Sequence, residues 1–395
     1  MRLLHVVPTY VPAYRHGGPV VSVHGLCRSL AERGHQVTVL TTDVHGSGRL
    51  DVPLGTPIDR DGVETLYFPV GSPRRLYRSP AMGRVLAARI GEFDLVHLHS
   101  IFLWPTSAAA RVAERAGVPY FLAPRGMLVR ELFAERGRLR KTLWLSLVER
   151  RTIERAAALH VTTRLEAREA EGFGLDLPRI EIVPNGIDLG PFRRPLPAAQ
   201  DPTIRHLAGT GAPYVLALGR LSWKKGIDRL IRAWPLLGDR AREALLVVAG
   251  PDDEGYRPEL EGLATEMGVI DRVRFLGPVH GADKIALLAG ALALALPSRS
   301  ENFANVVLEA LAAGTPVVVT REVGLADTLD EAGAGLVVPG DPHSVARALE
   351  KLAREPELRE TLGRAGCALA ERFAWPRIAR AMEEVYLDSD LRRSS

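Results

Sequence analysis

Short, wholly apolar segments alternate with stretches of helical spacing along most of this chain, and that recurrence limits its fold more than any other feature. Residues 3–9, 36–41, 95–99, 120–123, 158–162 and 180–183 each read as a buried strand. Residues 20–33, 105–115 and 139–155 carry the 3.6-residue period of helices between them. Strands apolar on both faces must be covered on both faces, and helical crossovers join them in parallel, so a doubly wound α/β sheet is predicted. Residues 188–213 are rich in Pro, Gly and Arg and have no period, after which the alternation restarts with strands at 214–218, 245–249, 273–276, 292–296 and 317–320. With 395 residues, 46% of them hydrophobic, the chain has material for two cores. The expected organisation is therefore a first Rossmann-like domain over residues 1–190, a linker at 191–212, a second Rossmann-like domain over 213–375, and a terminal helix and tail at 376–395. Residues 342–387 read as nearly all helical, with Phe373-Ala374-Trp375-Pro376 marking a break before the terminal amphipathic helix.

Several classes of protein are excluded by what the chain carries elsewhere. Residues 1–10 begin a strand pattern directly and have no signal-peptide layout, so the expected location is the cytoplasm. The longest apolar run, residues 285–297, is too short to span a bilayer and reads as a helix end feeding a buried strand. Cys27 and Cys367 have no local partner or ligand spacing, and both read as reduced, buried thiols. Charge is uneven: residues 1–195 hold 27 basic and 19 acidic groups, and the remainder 24 and 28. A basic half suits an anionic partner such as a phosphate-bearing substrate or the inner membrane leaflet. No basic motif with interleaved aromatics supports nucleic acid as that partner.

Ligands of doubly wound sheets bind beyond the carboxyl ends of the strands, and two such domains facing each other make a central cleft. One motif, Ser298-Arg299-Ser300-Glu301-Asn302-Phe303-Ala304-Asn305, followed by Glu309, sits where a buried strand gives way to a helix. The N–H groups of Phe303, Ala304 and Asn305 at a helix start suit a phosphate, and carboxylates on either side suit sugar hydroxyls. Glu301 as a plain helix-start charge and Glu309 as an exposed helix residue remain open on spacing alone. The second motif, Gly219-Arg220-Leu221-Ser222-Trp223-Lys224-Lys225-Gly226, offers Arg220 as a fork and Lys225 as a point charge for a diphosphate. Its other reading is a solvated basic loop, and its glycine spacing is not that of a Walker loop.

Together with Gly17-Gly18 in an early loop and the run Val183-Pro184-Asn185-Gly186-Ile187-Asp188, these motifs resemble the retaining glycosyltransferases of family 4, which have the GT-B fold. The resemblance runs from the first strand to about residue 375, with the four motifs in the family's order. It implies that Glu301 contacts the donor sugar near the reaction centre and that Glu309 holds the ribose hydroxyls. It implies further that Arg220 and Lys225 neutralise the donor diphosphate while Gly17 and Gly18 belong to a loop that closes over it. No metal or other cofactor is implied, because Arg, Lys and backbone N–H groups do the work of Mg²⁺.

In one place the chain departs from the pattern. Arg125, in Ala123-Pro124-Arg125-Gly126, stands where many family members have a histidine, which replaces a proton-relay group with a fixed positive charge. A subgroup making capsule, O-antigen and exopolysaccharide shares this look. His97 and His99 fall on one side of a strand, with His99 expected to line the cleft as a donor-binding residue. Two imidazoles without a third are a poor metal site. The implied donor is a UDP- or GDP-hexose and the acceptor a saccharide or lipid-linked saccharide. A basic and apolar stretch at residues 136–151, containing Arg138, Arg140, Lys141 and Trp144, suits the headgroup region of an anionic membrane or, equally, ordinary packing on the first sheet. The rival assignments are an epimerase or inverting transferase on the same fold, and a sugar-nucleotide-binding module without catalysis.

Overall fold

The computed structural model describes residues 1–129, 145–193, 195–209, 213–238, 241 and 243–391. The chain forms two compact units: unit 1 comprises Met1–Gly186 together with Trp375–Ser395, and unit 2 comprises Ile187–Ala374. Both are Rossmann-like layers of helices on a mainly parallel sheet.

In unit 1 the strands are β1 (Arg2–Val6), β2 (Gln36–Thr42), β3 (Val44–His45), β4 (Gly48–Arg49), β5 (Ile58–Arg60), β6 (Val63–Phe68), β7 (Leu95–His99), β8 (Tyr120–Ala123), β9 (Ala158–Val161) and β10 (Ile180–Ile182). The sheet order is β10-β9-β8-β7-β1-β2-β6-β5, while β3 and β4 form a separate hairpin. All neighbours in the large sheet are parallel except β5 and β6. The hairpin between β5 and β6 turns on Asp61 and Gly62, both at positive φ (55° and 81°). An Asp-Gly pair before the alternating run Val63-Glu64-Thr65-Leu66-Tyr67-Phe68 is a hairpin signal that the periodicity reading passed over.

One face of the sheet buries aliphatic side chains such as Leu4, Val96, Leu98, Leu122 and Leu159 against the helices Pro80–Arg89 and Trp104–Ala116. The opposite face receives the terminal helix Trp375–Leu391, which also packs on the helix Gly18–Glu32. The Trp375 ring fixes that return: a Cβ added to Gly25 or Gly186 would fall 2.2 Å and 2.4 Å from it, so both positions exclude any side chain. Along the helix, Glu383 takes Arg33 and His35, and Asp388 takes Arg179 at 2.5 Å.

Unit 2 has the strands β11 (Tyr214–Leu218), β12 (Leu245–Ala249), β13 (Val273–Gly277), β14 (Ala293–Leu296), β15 (Val317–Thr320) and β16 (Leu336–Val338), all parallel in the order β13-β12-β11-β14-β15-β16. Residues 285–297 form the end of the helix Gly281–Gly290 and then β14, as their length and central glycine predict. The segment expected to be a structureless linker instead contains the helix Pro202–Gly209, part of unit 2. Asp201 accepts from Thr203 N and Ile204 N at 2.8 and 3.1 Å, and Pro202 fits the first turn of a helix. Ile204 is the helix's buried hydrophobic residue, which is too little apolar period to read from sequence. Ala208 meets Gly290 so closely that a Cβ there would lie 3.2 Å from its Cα.

Cys27 is buried as expected, and burial pushes its thiol up to about 12. Cys367, expected to be buried, is exposed on the helix Pro356–Ala370. Among the described residues, no helix is long and apolar enough to cross a membrane. Residues 136–144 of the basic stretch, including Arg138, Arg140, Lys141 and Trp144, lie outside the described residues.

Candidate active site

Unit 2 assembles its polar site from two loops at the carboxyl ends of neighbouring strands. After β11 the chain runs through Gly219 (φ 153°) beside Gly250 (φ 147°), where a Cβ on Gly250 would fall 1.8 Å from the Gly219 carbonyl oxygen. Arg220 follows and is exposed; Trp223 is 37% exposed in a 3₁₀ turn with Lys224 and Lys225. Gly226 closes that turn at φ 67°, and a Cβ there would stand 2.0 Å from Pro297 O. Only glycine permits this conformation and this approach together, and the approach seats the β11 loop on the β14 loop.

Backbone and side-chain bonds then lock the two loops. Arg299 N donates to Lys224 O at 2.7 Å, Arg299 Nη1 to Trp223 O at 2.8 Å, and its guanidinium grips both oxygens of Asp228 at 2.7 Å. Burial would raise the Asp228 carboxyl, but the Arg299 bonds override it and hold it below its ordinary value. Arg229 Nη1 adds a bond to Pro297 O at 3.1 Å. The outcome is a contact between Lys225 Nζ and Glu301 Oε2, with side chains 22% and 19% exposed. Glu301 is fixed from the other side, its N donating to Glu322 O at 3.0 Å and its carbonyl accepting from Gly324 N at 2.8 Å.

The helix Asn305–Ala313 begins after Ala304, a non-glycine residue at φ 70°, with no side-chain bond capping its N-terminus. Phe303 and Ala304 are 3% and 4% exposed, and Phe303 packs edge-on against Phe373 at 6.2 Å. Any contact of theirs with a ligand is therefore made by backbone. Glu309 lies on the second turn and pairs with Lys284 Nζ at 2.7 Å. Lys284, Arg299 and Asp228 were not singled out from sequence: long-range pairs of this kind leave no local spacing signal. The two carboxylates expected to bind hydroxyls thus each carry a lysine, and Arg220 makes no hydrogen bond or ion pair among the described residues.

Unit 1 presents Gly17 and Gly18 at the start of the helix Gly18–Glu32, with Gly17 at φ 79° and ψ −151°, a region open essentially to glycine alone. Arg125 follows β8 at φ 57°, next to Gly126 at φ 73°. Its Nη1 donates to Asn185 Oδ1 at 2.9 Å and its Nη2 to His99 Nδ1 at 3.0 Å. Asn185, within the run of residues 183–188 noted in the sequence, is thereby a partner of Arg125.

His99, expected to line a cleft, is 1% exposed and belongs to a buried imidazole cluster with His5, His97 and His160. Because arginine only donates, His99 Nδ1 accepts, so His99 Nε2–H donates to His5 Nδ1 at 3.0 Å. His5 Nε2–H is then buried without a partner. In the second chain, His160 Nε2–H donates to Val183 O at 2.8 Å and its Nδ1 accepts from His97 Nε2–H at 3.2 Å, while His97 Nδ1 accepts from Tyr386 Oη at 2.6 Å. Every imidazole is neutral in this scheme. Burial, reinforced by the Arg125 charge, pushes His5 and His160 down to about 3; burial first and neighbouring charges second hold His97 and His99 well below the usual histidine value. Burial also lowers Arg125 itself, against the opposing charge of Glu166.

His5 supplies the third imidazole that spacing on β7 alone lacked, and the ligand atoms of His5, His97 and His99 lie within 4.8 Å of one another. Five of those six ring nitrogens are already hydrogen-bonded, and the Arg125 cation adjoins the group, so these residues fit a metal ion poorly.

Two Rossmann-like units, one carrying a lysine–carboxylate site and the other a partly buried arginine at their strand ends, are the layout of GT-B glycosyltransferases. Residues 204–368 match the family "Glycosyl transferases group 1" and residues 17–186 the "Glycosyl transferase 4-like domain". The D-inositol 3-phosphate glycosyltransferase of Xylanimonas cellulosilytica is 31% identical over 85% of this chain and 83% of its own length. That of Salinispora arenicola is 35% identical over 88% and 82%. Among solved structures, sucrose-phosphate synthase from Thermosynechococcus elongatus superposes with a TM-score of 0.76 at 22% identity, covering 100% of both chains. Anabaena Alr3699/HepE in complex with UDP and glucose gives 0.74 at 20%, covering 98% of this chain and 100% of that one. The chain belongs to the glycosyltransferase family of the group 1 and 4-like domains.

Proposed function

We propose that this protein is a retaining glycosyltransferase that moves a hexose from a UDP- or GDP-hexose to the hydroxyl of a saccharide or lipid-linked saccharide, in surface polysaccharide or glycolipid biosynthesis. The observation that carries the reading is the Lys225–Glu301 pair at the β11 and β14 ends, locked by Arg299 and Asp228 beside the start of the Asn305–Ala313 helix. A cation and a carboxylate already in contact can part onto the two ends of one donor. Lys225, with Arg220, turns to the diphosphate, and Glu301 is released to the sugar hydroxyls. Glu309 takes the ribose hydroxyls, and the N–H groups at Phe303, Ala304 and Asn305 take phosphate oxygens. Gly17 and Gly18 let backbone approach the donor without a side chain, and Arg125, oriented by His99, adds a fixed positive charge.

In the proposed reaction the bond from the anomeric carbon to the diphosphate breaks on the face from which the acceptor oxygen bonds to the same carbon. The acceptor proton passes to the leaving phosphate oxygen. The site's main task is stabilising the charge that develops on that leaving group, for which preorganised cations serve best. This chemistry uses no metal, so EDTA should leave turnover unchanged. The UDP and glucose bound to the Anabaena neighbour and the D-inositol 3-phosphate in the relatives' names motivate the choice of substrates to screen. Thermal-shift screening against UDP-, GDP-, ADP- and dTDP-sugars, followed by NMR of the product anomer, tests the reading. Inversion, or turnover to an epimer without acceptor, would refute it, and binding without turnover would leave a sugar-nucleotide-binding module.

The acceptor side of the reading draws on the basic excess of residues 1–195 and on the basic, apolar stretch at 136–151. Co-sedimentation with anionic liposomes at low salt and release at high salt are expected, since surface charges are screened. Protein that stays in the supernatant at low salt would point to a soluble acceptor.

A further inference from the structure

We infer that Glu166 is a positioning residue for Arg125, setting the turn that presents the guanidinium while leaving its charge unquenched; this rests on the role of Arg125 given above. Glu166 is 2% exposed, on the first turn of the helix Arg164–Glu171 that follows β9. In sequence, Thr163-Arg164-Leu165-Glu166 reads as a capping box, and Thr163 Oγ1 does accept from Glu166 N at 3.1 Å. The carboxylate, however, spans two strand ends. Its Oε2 accepts from Thr162 N at 2.7 Å and Thr162 Oγ1 at 2.9 Å, while Oε1 accepts from Gly126 N at 2.7 Å, the residue after Arg125.

That bond bears on a piece of backbone held at positive φ. Arg125 is a non-glycine residue in the left-handed region, and Gly126 beside it is left-handed as well. Such a conformation persists only where its surroundings over-determine it. A charge-assisted bond to Gly126 N does so from a helix start that is itself fixed on β9.

Electrostatics complete the argument. Among the described residues no carboxylate reaches the Arg125 guanidinium: its partners are the neutral Asn185 Oδ1 and His99 Nδ1, and Nε is buried without one. Glu166 is the foremost opposing charge acting on Arg125, yet its oxygens are spent on N–H and O–H donors of the turns. The arrangement offsets part of the cost of burying a cation without forming the ion pair that would neutralise it. A guanidinium held this way retains its attraction for an anionic or developing negative group.

The test is a double-mutant cycle on kcat for nucleotide-sugar turnover. Glu166→Gln keeps the shape but removes the charge and one acceptor, and kcat should fall about tenfold with donor KM little changed. In the Arg125→Ala background the same substitution should change kcat less than twofold, because the residue acts through Arg125. Equal losses in both backgrounds would show a general structural role and overturn the inference. Full activity of Arg125→Ala would instead remove Arg125 from the reaction, and this inference with it. Should Glu166→Gln not fold, Thr162→Val loosens the same carboxylate and should give a smaller loss that likewise vanishes without Arg125. If the wild-type protein turns over no nucleotide sugar, the functional reading fails, and amide NMR decides the positioning alone. The Gly126 amide proton should lie downfield in wild type and move upfield, together with shifts of the Arg125 side-chain signals, in Glu166→Gln; unmoved Arg125 signals would refute the coupling.

Discussion

Lowering the pH should unfold unit 1 through its imidazole layer, and the size of the effect follows from the hydrogen-bond chains. His5 and His160 are pushed from 6.5 to about 3 on folding. A folded-state value below the unfolded one means that the unfolded chain binds more protons, so stability is complete above pH 6.5 and falls as pH drops toward 3. Each group contributes at most about 1.4 kcal/mol per pH unit in that window, so each costs about 2 kcal/mol between pH 7 and pH 5. Together the two remove about 4 kcal/mol, a large share of a typical domain's 5–15 kcal/mol. His97 and His99, shifted in the same direction, add to the loss. The geometry gives the reason: a second proton on His99 or His5 would set two N–H groups against each other at 3.0 Å, beside the Arg125 cation. Urea unfolding across pH 4.5–7.5, followed by the fluorescence of buried Trp375 and by circular dichroism, measures the slope of stability against pH. His160→Asn should lower that slope by about 1 kcal/mol per pH unit below pH 6, whatever it does to stability at neutral pH. An unchanged slope, or a folded-state histidine NMR titration near 6.5 for His5 or His160, would refute the neutral-chain assignment.

Lys225→Ala should reduce turnover at least about a hundredfold, the loss of one preorganised donor to a developing anion being worth about 3 kcal/mol, as steady-state kinetics on folded variant will show. Glu309→Ala should mainly raise donor KM, since ribose contacts hold ground and transition states alike; Lys284→Met should follow it in direction, and a selective loss of kcat in either would contradict the ribose assignment. Gly226→Ala should destabilise unit 2 by more than about 1 kcal/mol, because it combines a left-handed backbone with a contact on Pro297 O; an unaltered urea midpoint would mean that the two loops separate freely.

The sequence by itself determined the architecture, because period and turn chemistry are local: strands apolar on both faces require a doubly wound sheet wherever they occur, as β1, β2, β7 to β9, β11, β12, β14 and β15 show. It also placed Lys225, Glu301 and Arg125 at strand ends, since a strand followed by a glycine-bearing turn is readable from neighbours in the chain. It failed where the signal was faint, at the helix Pro202–Gly209 with its single buried residue, and where a reading stopped too early, at the Asp61-Gly62 hairpin. Only tertiary structure could decide the partners. Lys225 meets Glu301 across 76 positions, His5 meets His99 across 94, and His97 meets Tyr386 across 289. Hydrogen bonds and ion pairs act over about 3 Å of space regardless of chain separation, so nothing local to either residue records them. Three further consequences exist only once the sheets are formed: His99 meets Arg125, His5 completes a trio of imidazoles, and Glu166, still capped by Thr163, also holds the turn after β8.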